Sequence, residues 1–341
     1  MNILFALDSF KGCLTSAQAC AAAAGGVGAT QRAVCQPVSD GGEGWLEAFE
    51  SAASATPMQR IHVDVLDPLR RPVRASYLLQ GDTAIVESAQ ASGLTLLTAS
   101  ERRPRTATSY GTGQLLVDAR RRGARHIVVG LGGSATSDAG QGLLEAMATT
   151  DFSGVSLMLA TDVQNPLCGQ HGAARVFAPQ KGATPADVEW LAARDEAFAR
   201  ESARRCGRDC SERAGAGAAG GMGYALMQYY DAQVCSGIDY LLDHARFDRL
   251  LADADMVVTG EGRADRQTLM GKVAMGILRR ARRFAVPVVL LAGSVDDAPA
   301  LLAAGFSRVV SIHPDGQPLS VSMRPDVTRQ ALAHAVANLI L

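Results

Sequence analysis

The first twelve residues, MNILFALDSFKG (Met1–Gly12), decide how the rest of the chain is read. Ile3–Leu7 is an unbroken apolar run, the mark of a strand covered on both faces. It stops at Asp8-Ser9-Phe10-Lys11-Gly12, where an acid, a hydroxyl and a lysine are pinned by a glycine. Thr15 or Ser16 then caps an alanine-rich helix over residues 15–25. A second short strand, Ala33–Val38, closes on Ser39-Asp40-Gly41-Gly42-Glu43-Gly44 and leads into a helix near Trp45–Ala53. Strand, helix, strand, helix predicts a parallel sheet with crossover helices, and ligands of such sheets gather beyond the carboxyl ends of the strands.

The pattern changes at residue 60. Arg60–Val65, Val73–Leu79 and Thr83–Glu87 are short strands separated by turn residues, which predicts a meander rather than a crossover. Helical spacing returns at Thr112–Arg122 and is followed by a strand at His126–Leu131, a helix through Leu143–Met147 and a strand at Val155–Thr161. Pro185–Cys206 predicts a long helix with arginines on its outer side, and Gly215–Gly223 is a glycine- and alanine-rich segment. From residue 237 the alternation of the first segment resumes: helix 237–252, strand Met256–Thr259, helix 272–284, strand Val286–Leu291, helix 297–304, strand 307–312 and helix 324–340. Start and tail share one style and the middle another. We therefore expect an α/β protein: a Rossmann-like parallel-sheet domain from residues 1–58 plus 237–341, with a second α/β domain inserted at 59–236.

Composition narrows the function. A chain of 341 residues with 48% hydrophobic and 20% charged residues is globular and long enough for about two domains. A net charge of −1 argues against a dedicated nucleic-acid or membrane surface, and no apolar run reaches spanning length. Seven cysteines, with Cys206 and Cys210 the only close pair, suggest free thiols rather than a disulfide framework or a zinc site. The chain carries only three lysines beside thirty arginines, and Lys11, Lys181 and Lys272 each adjoin a glycine. A compact ammonium does not exchange with a planar guanidinium in a tight site, so these positions read as places where arginine does not fit.

The polar motifs fall at strand ends. Asp8 and Lys11 follow the first strand, Asp40 and Glu43 the second, and Ser134, Thr136 and Asp138 the strand at 126–131. Asp162 follows the strand at 155–161, and Glu261, Arg263 and Asp265 follow the one at 256–259. Gly132 and Gly133, with Ser134 and Thr136, precede a helix and could cradle an anion. Gly217 and Gly220, in the run 215–221, could do the same, although a glycine run is more often a packing or turn device. There is no GxxxxGK[ST] and no GxGxxG after the first strand, so neither a P-loop nor the usual dinucleotide motif is present. Carboxylates, lysines and anion cradles together suit phosphoryl transfer, where acids hold Mg2+ and one acid accepts a hydroxyl proton. His171 and His313 are read as structural histidines.

Nine segments, in order, carry a resemblance: LDSFKG (7–12), SDGGEG (39–44), ESAQASGL (87–94), TSYGTG (108–113), GLGGSATSDAG (130–140), TDVQNPLCG (161–169), PQKGAT (179–184), GAGAAGGMG (215–223) and TGEGRADRQTLMGK (259–272). The chain resembles the type 1 glycerate kinase family, nearly end to end. The resemblance implies ATP- and Mg2+-dependent phosphorylation of D-glycerate to 2-phosphoglycerate, in a cleft between a Rossmann-like domain and an inserted α/β domain. It places Asp8, Lys11, Asp40, Glu43, Ser134, Asp138, Asp162, Asn165, Lys181, Glu261, Asp265 and Lys272 around that cleft and assigns no base; from their chemistry we expect catalytic roles for Asp8, Lys11, Asp40 and Lys181, with Asp8 or Asp40 as base and the two lysines on substrate carboxylate or phosphate. We expect nucleotide binding at Gly132, Gly133, Ser134, Thr136, Gly217, Gly220 and Lys272, and the metal at Glu261, Asp265 and Asp162. A capping pair is the structural alternative for Glu261 and Asp265.

The chain departs from the family pattern in three places. It crosses from Met147 to Val155 in a few residues where the family has a longer connection. It carries Ala178 before PQKG, and Ser137-Asp138-Ala139 where the family prefers Asn-Asp-Gly. A kinase for another small hydroxy-acid and a non-catalytic binding descendant are the alternatives; no motif charge is missing, which favours catalysis. The resemblance further implies a cytoplasmic enzyme that takes a small-molecule substrate and engages neither nucleic acid nor membrane. A homo-oligomer is left open.

Overall fold

The structure, a computed structural model, describes residues 1–52, 57–270, 273–314 and 316–340. It divides into two compact units. Unit 1 comprises Met1–Asp40, Glu47–Ala55 and Ile238–Leu341, and unit 2 comprises Gly41–Leu46 and Thr56–Gly237. The strands, in chain order, are β1 (Asn2–Leu7), β2 (Arg32–Cys35), β3 (Gln59–Leu66), β4 (Pro72–Gln80), β5 (Thr83–Glu87), β6 (His126–Gly130), β7 (Ser156–Ala160), β8 (Gln233–Cys235), β9 (Met256–Ala264), β10 (Val288–Val295) and β11 (Arg308–Ser311).

Unit 1 is built on an all-parallel sheet of order β11-β10-β9-β1-β2. The opening strand lies inside this sheet, next to its β2 edge: Ile3–Leu7 are fully buried, and the strand pairs with β2 on one side and with β9, some 250 residues later, on the other. The helix after β1, Ser16–Ala24, starts where the sequence places its cap. Thr15 Oγ1 accepts from Gln18 N–H at 3.2 Å and Gln18 Oε1 accepts from Thr15 N–H at 3.1 Å, a reciprocal capping box. The chain leaves β1 toward β2, then returns to β1's other edge as β9 and grows away through β10 and β11. Strand order therefore reverses at the β1/β9 border, the place where open parallel sheets bind ligands.

Unit 2 has a mixed sheet of order β3-β4-β5-β6-β7-β8, in which β3, β4 and β5 form the expected antiparallel meander and β5 through β8 run parallel. The long helix Pro185–Cys206 has the bounds its sequence dictates, with Thr184 and Asp187 forming a capping box, proline in the first turn and left-handed Gly207 at the end. Residues 148–155 turn directly into β7, with Phe152 buried edge-on against Tyr230.

Three expectations need correction. The strand at 256–259 continues to Ala264, so Glu261 and Arg263 lie on β9 rather than after it, and β10 likewise extends to Val295 to pair with it. Gly260 permits the close approach: a Cβ there would meet Leu291 O at 2.6 Å. The helix expected over 237–252 is two, Gly237–His244 and Phe247–Ala252, broken at left-handed Arg246. The glycine-rich stretch at 215–223, read as a candidate anion cradle, runs into the buried helix Ala218–Tyr230, with Ala219, Gly220 and Gly221 left-handed near its start. All seven cysteines are free thiols. Among the described residues no helix is long and apolar enough to cross a membrane.

Candidate active site

Unit 1 brings four of the expected charges to the β1/β9 border. Asp8 leaves β1 with its amide donating to Gly260 O at 2.8 Å, and its Oδ1 accepts from Ser9 N–H at 2.7 Å. Burial pushes the Asp8 carboxyl up to about 7. The negative charges of Asp40 and Glu261 act in the same direction, while the Ser9 amide and Lys11 oppose them. A carboxyl poised there is half-ionised near neutrality and is a competent proton acceptor. Lys11 is exposed and lies on the wall of a cavity shared with Phe10, Gly262 and His313. His313, read from sequence as structural, is buried on that same wall.

Glu261 and Asp265 belong to a small turn. Glu261 Oε1 accepts from Thr268 Oγ1 at 2.6 Å, Thr268 Oγ1 accepts from Asp265 N–H at 3.1 Å, and Asp265 Oδ1 accepts from Gln267 N–H at 2.7 Å. Asp162, grouped with these two acids from sequence, belongs to unit 2, where it follows β7. Among the described residues no three His, Cys, Asp or Glu side chains gather as a metal cage. Mg2+ does not require one, because it is commonly held by one or two carboxylates together with phosphate oxygens. The hard oxygens of Glu261 and Asp265 fit that mode. Lys272 lies outside the described residues.

In unit 2 the segment Gly132–Asp138 is fixed from several directions at the carboxyl end of β6. Gly132 N–H donates to Gly41 O at 3.1 Å, and a Cβ on Gly132 would lie 2.4 Å from Gly42 Cα. This backbone-on-backbone contact seats Gly41–Leu46 in unit 2. Gly133 is left-handed, at φ +69°. Lys181 is buried, and its ammonium donates to Ser134 Oγ at 2.9 Å and Thr136 O at 2.5 Å. Burial lowers the Lys181 pKa to about 8, against the pull of Asp138 and Asp195. Asp138 Oδ2 accepts from Ser109 N–H at 2.8 Å, Ser109 Oγ at 2.9 Å and Gly142 N–H at 3.1 Å, so this acid ties the loop to two helix starts. Among the described residues the buried hydroxyls of Thr136 and Ser137 have no hydrogen-bond partner. Buried polar groups are rarely left so, and an anion on the loop would satisfy them.

Gly217 and Gly220 are packing glycines rather than an open cradle. A Cβ on Gly217 would meet Pro166 O at 2.4 Å, and one on Gly220 would meet Thr136 O at 2.0 Å. Sequence reasoning missed two acids. Glu87 is buried at the end of β5, where Oε2 accepts from the amides of Trp45 at 3.0 Å and Leu46 at 3.2 Å. It has the same strand-end signature as Asp8 and could have been read the same way. Asp195 is buried on the long helix, Arg194 bonds it at 2.7 Å, and burial pushes its pKa up to about 6. The signal was an acid four residues after Leu191 on the buried face of that helix.

Two α/β units, each with chemistry-bearing loops at the carboxyl ends of its parallel strands, define an enzyme acting on small molecules. A family model described as the glycerate kinase family matches residues 3–154 and 147–341, two pieces that meet at the short connection before β7. The chain is 37% identical to a glycerate kinase of Bacillus subtilis (strain 168), covering 94% of this chain and 92% of that one. It is 36% identical to a glycerate 2-kinase of Escherichia coli (strain K12), covering 92% and 90%. A crystal structure from Salmonella typhimurium LT2, described as a glycerate kinase 2, superposes with a TM-score of 0.79 at 35% identity over 99% of this chain and 97% of the other. The chain belongs to the glycerate kinase family.

Proposed function

We propose that this protein transfers the γ-phosphoryl group of ATP to the 2-hydroxyl of D-glycerate. The observation that carries the reading is Asp8, a carboxyl at the β1/β9 border held near pH 7 by burial and by Asp40 and Glu261. It takes the proton of the attacking hydroxyl as the bond to phosphorus forms, and ADP leaves. Asp40 keeps Asp8 basic, and Lys11 balances anionic oxygens of the substrates. Mg2+, bound with the phosphates, would neutralise their charge, and Glu261 and Asp265 are the side chains that would hold it. The Gly132–Asp138 segment would receive an anionic group on the Thr136 and Ser137 hydroxyls. The test is ADP release by the purified chain with Mg-ATP, with and without D-glycerate, and phosphorus NMR of the product. We expect ADP only when D-glycerate is present, with the signal of 2-phosphoglycerate. Folded protein that releases no glycerate-dependent ADP overturns the activity, and a 3-phosphoglycerate signal overturns the position.

Lys181 acts in this scheme as a positioning residue, since its ammonium is spent on Ser134 and Thr136. Each hydrogen bond from a buried charge contributes about 1.5–3 kcal/mol. Lys181→Met is expected to lower kcat/KM at least about tenfold and to lower the melting temperature. Lys181→Arg should not rescue either quantity, because a guanidinium is too broad for the site. Wild-type kinetics in Lys181→Arg would refute the need for an ammonium.

A further inference from the structure

We infer that the unit 1 cavity, about 360 Å3 in volume, seats the adenine and ribose of the nucleotide. The inference rests on the phosphotransfer reading above and adds where the nucleoside goes. The cavity lies along the carboxyl ends of β10 and β11 and reaches the strand-order reversal through Phe10, Lys11 and Gly262. Its size falls within the roughly 300–1,000 Å3 usual for small-molecule sites, and a three-carbon acid would leave most of it to water.

The lining separates a nucleoside from an acid. Lys11 is the one cation among the described lining residues, and it sits at the end nearest Asp8 in sequence and fold. Elsewhere the described wall is apolar or neutral except for Asp296, whose carboxylate is paired with Arg263. Leu319 and Met323 are 74% and 39% exposed, large apolar groups on the cavity edge with little protein over them. A flat aromatic base would cover them, whereas a carboxylate would gain nothing there. The polar groups beside those two side chains are neutral. Gln317 Nε2 donates to Ser322 Oγ at 3.0 Å and lies 3.3 Å from His313 Nδ1. With the amide nitrogen so held, the amide oxygen is the group that can accept from an exocyclic amine. Burial lowers the pKa of His313, which keeps it an uncharged hydrogen-bonding group. A few fixed neutral polar groups on an apolar wall recognise a heterocycle, and the cation at one end suits the phosphates.

The test uses the full chain, with ADP as the probe and no turnover required. Calorimetric titration measures ADP affinity in wild type, Leu319→Asp and Ser294→Trp, both at exposed positions on the cavity wall. Photolabelling of wild type with 8-azido-ADP, followed by peptide mapping, locates the base without any variant. We expect ADP to bind at least about tenfold more weakly in each variant, with melting temperatures preserved and label on the peptide carrying His313–Met323. Unchanged ADP affinity in both variants, or label placed elsewhere, overturns the assignment. Wild type that binds ADP in this cavity yet makes no phosphoglycerate supports the nucleoside site and removes the kinase reading. Full glycerate-dependent turnover with unchanged ADP affinity in both variants does the opposite.

Discussion

Asp8→Asn is expected to lose about 10²–10⁴-fold in kcat while becoming more stable than wild type at pH 8. Both effects have one cause. The Asp8 carboxyl titrates at about 7 in the fold, against 3.8 as its ordinary value, because burial and the charges of Asp40 and Glu261 disfavour its ionised form. The folded state therefore holds a proton that the unfolded chain has already released. Its stabilising contribution is complete below pH 3.8 and is lost as pH rises through about 7. At pH 8 the wild-type protein carries an ionised carboxylate that the fold disfavours, at a cost on the order of 2–4 kcal/mol. Asparagine removes that cost along with the base. Urea denaturation should show the variant more stable at pH 8 and no gain at pH 3. The wild-type kcat/KM should fall below pH 7 as Asp8 takes up its proton. A flat pH–rate profile, or Asp8→Asn turning over at the wild-type rate, would remove Asp8 as the base.

Gly220→Ala should be among the most damaging single methyls in unit 2. Gly220 sits at φ +67°, and a Cβ there would meet Thr136 O at 2.0 Å and Thr136 C at 2.7 Å. Backbone atoms on both sides leave no flexible group to give way. The expected loss is about 3 kcal/mol or more, a fall in melting temperature of about 6–12 °C, with activity falling as the Gly132–Asp138 segment is displaced. Gly207→Ala is the matched control. It has the same φ, +67°, but nothing lies within 4 Å of its Cβ, so it should lose only about 1 kcal/mol. Equal losses in the two variants would mean that left-handed strain alone, not the contact with Thr136, sets the requirement. The neighbourhood is already strained: Ala139 donates its N–H to Gly220 O at 2.9 Å while holding φ +52°.

The parts of the fold legible in the sequence are those whose signal is local. Ile3–Leu7 announces a buried strand by itself, and Thr184, Pro185, Asp187 and Gly207 mark both ends of one long helix within a few residues of each. Elements whose shape depends on distant partners were not legible. Gly260-Glu261-Gly262-Arg263-Ala264 has no β-branched or aromatic residue to suggest a strand, and its pairing with β10 makes it one. Lys181 could be singled out as a rare ammonium, but its bond to Ser134 spans 47 residues and follows from no local rule. Asp8, Asp40 and Glu261 could each be read as a strand-end acid. That they act on one another follows from the order β9-β1-β2, which the sequence does not spell out.

That order also has a history in time. During synthesis β1 and β2 leave the ribosome first, yet the β1 edge that Met256–Gly260 will occupy stays empty while about 250 residues are added. The stretch Thr56–Gly237 emerges whole in that interval, with every strand of its sheet in hand. The inserted middle of the chain thus has all its strands before the unit that begins the chain does. Meanwhile the nascent chain carries Ile3–Leu7, its most apolar strand, with one side unpaired, the kind of edge that pairs with the wrong neighbour when chains are crowded. A chain released between residues 237 and 256 has a complete second unit and a first unit that cannot close.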